Sequence, residues 1–484
     1  MHVRILVGAL VLAALTGCSQ RTAEQQIIDD ATAAVGGSDR LAALSSMVIE
    51  GSGVQGNLGQ DMTPDAAGQT FALDPYRQRV DLSTPRTLTE QTRTPSFDYF
   101  QGRDPQAQMF GLDGDIAYAI GSNGTANRQP AATARDRRAA YYHHPVTVLR
   151  AAADPAATVT NARTESGERL VDLTTADGVR LTLATDATSN LPARVTSMTD
   201  HPNLGDVTIT TRFSDYAGAE GLMLPTRLTA TTDEYAGLDL RVTSHAFGGD
   251  VADLAAPAAA AAATVDGPAP PNVTVEELAS GIWFLAGESH HSVLVEYADH
   301  LMLIEAPNDA RTLAVVAKAR ELVPDKPLTH LVNSHHHFDH SGGIRTAISE
   351  GLTIVTQAAN GPFYEHLATR ARTIAPDALT RNPQPLTLET VDEEWTHEDA
   401  SMSAQVYRIA GSSHADTLLM VYFPQSRLLV QADAFSPGRP DQPFAANLLE
   451  EVERRELRVD RIAPIHGVVT PFSELVSLVR AASN

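Results

Sequence analysis

The spacing of apolar and polar positions divides the chain into two parts with different textures. Near the start, Ala23 to Val35 carries Ile27, Ile28 and Val35 at helical spacing, and Gly36-Gly37 marks its end. A second short helix, Arg40 to Ser45, leads into a strand near Met47 to Gly51. From there to about residue 250 the pattern alternates at period two. Examples are Arg169-Leu170-Val171-Asp172-Leu173, Val179-Arg180-Leu181-Thr182-Leu183, Val207 to Phe213 and Thr226 to Thr231, separated by Asp, Gly, Asn and Pro. Alternation of this kind buries one face of each strand and wets the other, so this part reads as an antiparallel β-rich domain. A Pro/Ala stretch, residues 254–271, follows. Its Ala258 to Ala263 run favours helix, but Pro257 before it and Pro268, Pro270 and Pro271 after it favour a linker.

Beyond that stretch, strand-like and helix-like segments take turns. Apolar runs at Ile282 to Ala286, Ser292 to Tyr297 and Leu301 to Ile304 precede a helical stretch, Ala310 to Leu322, and a buried strand, Leu328 to Val332. Helices near Gly342 to Ser349 and Gly361 to Arg372 flank a strand, Leu352 to Thr356. After a looser region, strands recur at Gln405 to Ile409, Leu418 to Phe423 and Arg427 to Gln431. A helix near Ala446 to Leu457, a strand near Arg461 to Ile465 and a helix from Phe472 to Ala481 complete the chain. Two β-halves with helices outside them make a layered sandwich. The expected division is a leader at 1–17, a β-rich domain at 19–253, a linker at 254–271 and a second domain at 272–484.

Length agrees with two domains, since 484 residues exceed one typical core. A formal net charge of −23 without a basic stripe argues against nucleic acid as a partner. The single cysteine, Cys18, excludes an intrachain disulfide and leaves no thiolate for a metal elsewhere. Arg4 followed by the apolar run Ile5 to Leu15 has the form of an export signal, too short to span a bilayer. It ends in Leu15-Thr16-Gly17-Cys18, which resembles a bacterial lipobox. That resemblance implies an acylated Cys18 and a membrane anchor in the cell envelope. With Ser19 next, it further implies the outer membrane, facing the periplasm. Phe213-Ser214-Asp215-Tyr216 followed by Gly221 to Pro225 resembles a pattern in the open β-sheet domains of exported lipoproteins and their carriers.

The candidate chemistry lies at Ser334-His335-His336-His337-Phe338-Asp339-His340, directly after the buried strand. Loops at the C-terminal edge of such strands are where open α/β sheets build their sites. In an extended segment, His335 and His337 project to one side and can share one ion. Asp339 and His340 follow the turn of the chain and can face a second. A catalytic metal needs further ligands, and His414, Asp433 and His466 each stand in the loop after a strand-like run. Nitrogen and carboxylate donors without thiolate suit zinc, with iron or manganese as alternatives.

His-x-His-x-Asp-His, a later His, a later Asp after an apolar strand, and a final His-Gly resemble the metallo-β-lactamase-fold hydrolases over roughly residues 272–484. The resemblance implies an αββα sandwich, making the whole chain α+β, with an antiparallel β-rich domain ahead of it. It also implies that His335, His337 and His414 bind one metal, that Asp339, His340 and His466 bind another, and that Asp433 bridges them. Asp339 is in addition the catalytic candidate. The implied activity is zinc-dependent hydrolysis of an ester, lactone, thioester or amide, a small-molecule substrate, by a hydroxide shared between two zinc ions. Two alternatives are an enzyme with one iron, like persulfide dioxygenases, and a non-catalytic envelope protein whose first sheet holds an apolar ligand. His336 is expected to point away from the ligands. His290 and His291 read as ordinary loop histidines, and Tyr364 and His366, on a helix after the metal loop, are weak candidates for substrate contacts. Glu305 replaces an Asp common in the family, which leaves its role open. Gly342 and Gly343 are expected to let the metal loop enter its helix.

Overall fold

The computed structural model describes residues 21–99, 102–265, 271–439 and 441–482. The leader and Cys18 lie outside these residues. The first helix, Ala23–Val35, begins where the Thr22 hydroxyl accepts Gln25 N–H (3.2 Å) and ends at Gly36 with φ 139°. Its Ile27, Ile28, Ala31 and Val35 are buried.

Among the described residues, the first part forms one antiparallel sheet of thirteen strands. Two meanders build it. One runs outward from Ser46–Gly56 to Ala126–Arg128, and the other returns from Thr158–Glu165 to Tyr235–Phe247. They join where Met47 pairs with Phe247. Helices Ala131–Tyr141 and Pro145–Ala152 connect them, and neither was legible in the alternating pattern. The first is mostly polar and buries only Ala134, so it has no apolar stripe. The second is short and buried nearly all round, and Pro145 in its first turn is its one sequence signal. The core on this face joins Ile28, Val35, Met47, Leu149, Leu183 and Leu240. The alanine run of the Pro/Ala stretch winds as a helix, Ala258–Ala262, with Ala260 buried beside Leu88 and Tyr118. Alanine has the highest helix propensity, so the run coils once Pro257 has set its start.

The second part is an αββα sandwich of a seven-stranded and a six-stranded sheet. In the larger sheet, four antiparallel strands ending at Leu301–Ile304 are followed by parallel strands Leu328–Val332, Thr353–Gln357 and Thr387–Val391. Helix Asp309–Leu322 makes the first crossover. In Leu301–Ile304, Met302 and Ile304 face the other sheet, while Leu301 and Leu303 pack on the helices. Both faces are covered, which is why these strands read as continuous apolar runs. The smaller sheet repeats this arrangement, with Val421 and Val430 inward and Met420 and Leu429 against helices Ala445–Arg454 and Phe472–Ala482. The region read as looser holds Thr387–Val391 and Glu394–Glu398, where the chain passes from one sheet to the other. Their charged, half-exposed residues hid them from an apolar search. Among the described residues, no helix is long and apolar enough to cross a membrane.

The two parts interlock. Arg370 donates to the Asp206 carbonyl (2.9 Å) and to the Asp233 carboxylate (2.5 Å). Arg372 donates to the carbonyls of Pro202 (2.5 Å) and Asn203 (3.0 Å). A loop of the first part, near Leu58 to Met62, reaches the histidine loop of the second. There Phe338 N–H donates to Gly59 O (3.1 Å) and Asp416 N–H to Met62 O (2.8 Å). Gly59 has φ 76°, and a Cβ there would lie 2.2 Å from Phe338 Cγ, so both conformation and space call for glycine.

Candidate metal centre

Strand Leu328–Val332 ends at Asn333, and the chain then turns through Ser334 to His340 before helix Ile344–Ser349. Gly342 and Gly343 sit at that entry with negative φ (−60° and −97°), so close packing is their reason. A Cβ on Gly343 would lie 2.0 Å from Thr312 Oγ1.

Hydrogen bonds settle which nitrogen several of the histidines present. His466 Nδ1–H donates to Ser289 O (2.8 Å), and His340 Nδ1–H to Glu305 Oε2 (3.1 Å). Ser334 Oγ donates to Glu305 Oε2 (2.5 Å), so it accepts from His335 Nδ1–H (2.9 Å). Each of these rings therefore turns its Nε2 inward, without a hydrogen when the ring is neutral. His337 is reversed: Nε2–H donates to the Asp61 carbonyl of the first part (2.9 Å), and buried Nδ1 has no protein partner.

The inward nitrogens surround one carboxylate. Asp433 Oδ2 lies 2.9 Å from His414 Nε2, 3.1 Å from His340 Nε2 and 3.4 Å from His335 Nε2, and Oδ1 lies 2.9 Å from His466 Nε2. Ring nitrogens also face each other, His414 Nε2 with His335 Nε2 at 3.1 Å and His466 Nε2 with His340 Nε2 at 3.2 Å. A cation between such nitrogens, a proton or a metal ion, lets them approach this closely. The donors fall into two groups able to hold an ion: His335, His337, His414 and Asp433, and His290, Asp339, His340 and His466. All seven residues picked out in the sequence thus converge.

His290 does not behave as an ordinary loop histidine. Its Nε2 lies 3.3 Å from Asp339 Oδ2, and its ring centroid is 4.2 Å from that of His466. Its position before Ser292–Glu296 gave no spacing signal, because it reaches the site only through sheet pairing. His291 is ordinary as read, accepting Gly287 N–H (3.1 Å) beneath Phe284. His336 bonds Thr417 (2.9 Å) and belongs to neither group. Tyr364 is fully buried and donates to Asn333 Oδ1, a structural part, and His366 is exposed. Glu305, fully buried, collects Asn333 Nδ2–H (3.0 Å), Ser334 Oγ–H and His340. Glu305 (φ 79°) and Asp433 (φ 43°) both adopt the left-handed region that most side chains avoid.

Burial drives His335 and His337 well below the ordinary histidine value, with neighbouring histidines adding to the effect, so both are neutral donors. Burial also acts to lower His340, but Asp433, Asp339 and Glu305 outweigh it and raise that ring well above its ordinary value. The pocket holds an excess of carboxylate that a cation would neutralise. Beside it opens a cleft of about 800 Å³, lined by His290, Phe338 and Asp339 and, from the first part, His201, Pro202 and Asn203.

The sandwich with histidines and aspartates gathered at one end defines a candidate metalloprotein. Residues 285–466, less than half of the chain, match the model of the metallo-beta-lactamase superfamily, and the C-terminal region carries a domain of that superfamily. No curated protein matches the chain. Among solved structures, it is similar to TMB-1, at 18% identity over 44% of this chain and 100% of that one, with a TM-score of 0.34. The DIM-1 metallo-beta-lactamase is 17% identical over 44% and 99%, with a TM-score of 0.35. A metallo-beta-lactamase from Pontibacter korlensis is 17% identical over 44% and 100%, with a TM-score of 0.34. Likenesses of this extent say nothing of activity.

Proposed function

We propose that the C-terminal region is a metal-dependent hydrolase of a small ester, lactone, thioester or amide, working with two divalent cations, zinc by the chemistry of the donors. The observation that carries this reading is the Asp433 carboxylate set between the two histidine groups, 2.9 Å from His414 and 2.9 Å from His466. His335, His337 and His414 would hold one ion, Asp339, His340 and His466 the other, and Asp433 both. His337 fits such a role through its unpartnered Nδ1. Two such ions supply a nucleophile from water near neutral pH and draw charge from the scissile oxygen.

The chain's own groups do the rest. Asp339 presents a carboxylate to the cleft, steadied by Gln60 Nε2–H at Oδ1 (2.8 Å) and His290 at Oδ2 (3.3 Å). From there it would be placed to accept a hydrogen bond from the attacking water and orient it. Phe338 and Pro202 give the cleft apolar walls that seat the substrate and exclude bulk water. From the leader that ends at Cys18 we also propose that the chain is exported and anchored in the cell envelope through acylated Cys18.

The test is elemental analysis of the purified protein paired with a screen of lactones, thioesters, β-lactams and phosphoesters. At least two zinc ions per chain and turnover that disappears in His337→Ala are expected. One iron per chain, or turnover unchanged in that variant, would overturn the reading. Glu305→Gln is expected to weaken metal binding on the order of 10–100-fold, because it removes the charge that orients His340 through Nδ1. Chelator competition measures this, and unchanged affinity would show that Glu305 only fills space.

A further inference from the structure

Three more histidines converge at the end of the sandwich away from Asp433. His300 directly precedes Leu301–Ile304, His330 lies within Leu328–Val332, and His397 lies in Glu394–Glu398. The first two belong to the larger sheet and the third to the smaller. Strand Leu301–Ile304 separates His300 from Glu305, so this cluster and the centre described above occupy opposite ends of the same strand. Nothing in the proposed hydrolysis uses these residues.

Their geometry repeats features of the principal centre. Each offers a nitrogen, and the three nitrogens lie within 4.8 Å of one another. His300 Nε2 and His397 Nε2 approach to 2.8 Å, and the His330 ring centroid lies 4.8 Å from that of His397. The outer nitrogens of two rings are fixed: His300 Nδ1–H donates to Asp299 Oδ1 (2.7 Å), and His330 Nδ1 bonds Thr329 Oγ1 (2.7 Å). A carboxylate behind an imidazole is the support that metal-binding histidines usually have.

Aromatic rings hold the cluster in place. Tyr297 stacks on His300 (4.7 Å, 3° between planes), and Trp395 stacks on His397 (5.2 Å, 18°). Trp395 Nε1–H donates to Glu389 Oε2 (3.1 Å), leaving Glu389 Oε1 3.9 Å from His330 Nε2. A hydrogen bond between His300 and His397 alone would account for two of the rings. It would not account for a third ring with its Nδ1 tied back, or for a carboxylate beside it. Three imidazoles, partly exposed so that water could complete the set, are a donor set suited to zinc.

We propose that His300, His330 and His397 form a further zinc-type divalent-cation site that ties the two sheets together at the end remote from Asp433. The cation would join strands from both sheets where Glu394–Glu398 forms an edge, beside the hydrogen bonds from Tyr297 Oη–H to His397 O (3.3 Å) and Ala298 N–H to Asp399 Oδ2 (2.5 Å) that already cross there.

The test compares zinc content of the full-length protein with that of H300Q/H397Q after dialysis against micromolar zinc. One ion fewer per chain in the variant, with hydrolysis unchanged, is expected. Equal zinc in the two proteins would overturn the proposal. The comparison reads a difference, so it stands however many ions the principal centre holds. Anomalous diffraction at the zinc edge, from crystals of the unaltered chain grown with zinc, needs no variant. A peak among the three rings is expected, and its absence while peaks appear elsewhere would overturn the site.

Discussion

Asp433→Ala is expected to lower hydrolytic turnover on the order of 10³-fold and to release at least one metal ion per chain. The physical reason is the position of its carboxylate. Oδ2 faces His335, His340 and His414 while Oδ1 faces His466, so one side chain serves both donor groups. Without it, two cations would sit among imidazoles with no anion between them, and their mutual repulsion in a buried site is large. Asp433→Asn keeps the shape but not the charge, and is expected to fall nearly as far. Turnover and metal content measured on the same sample check this. Near-normal turnover in Asp433→Ala would sink the shared-carboxylate reading.

Asp377→Ala is expected to destabilise the fold by about 3–5 kcal/mol, the cost typical of breaking a buried ion pair on one side. Arg345 Nε lies 2.5 Å and Arg372 Nε 3.2 Å from Asp377 Oδ2, and Thr380 N–H donates to Oδ1 (2.8 Å). All three charged side chains are nearly fully buried, so removing the carboxylate strands two guanidiniums in the interior. Burial acts to raise the Asp377 carboxyl, but hydrogen bonds from Arg345 and Thr380 outweigh it and hold it well below the ordinary carboxylate value. A depressed value contributes stability that is complete at neutral pH and fades as pH falls below about 3.9, the unfolded value. Denaturant unfolding at pH 7 checks the figure, and a loss under about 1 kcal/mol would contradict the geometry.

The seven candidate ligands were legible because each follows a strand, and these strands of both sheets deliver their C-terminal loops to one end of the sandwich. His290 was not legible, because its place depends on which strands pair, and a sequence with its neighbours gives no spacing for that. Gln60 and Asp61 were hidden for a similar reason. They belong to the other part of the chain, in a polar loop like any other until Gly59 lets it lie against Phe338. Elements buried on both faces, such as Leu301–Ile304, stood out as apolar runs. Ala131–Tyr141 did not, since its surface-lying helix carries almost no apolar stripe. Glu305 could be seen as a substitution, but only the three-dimensional arrangement makes it the common acceptor for Asn333, Ser334 and His340.

The Asp61 carbonyl that orients His337 means that ownership of the pocket is divided. A gene fragment encoding the sandwich alone would inherit every ligand yet lose the acceptor that fixes the tautomer of one imidazole. The first part is thus no detachable passenger: exchanging it for another domain would take the Asp61 carbonyl from the rim of the pocket.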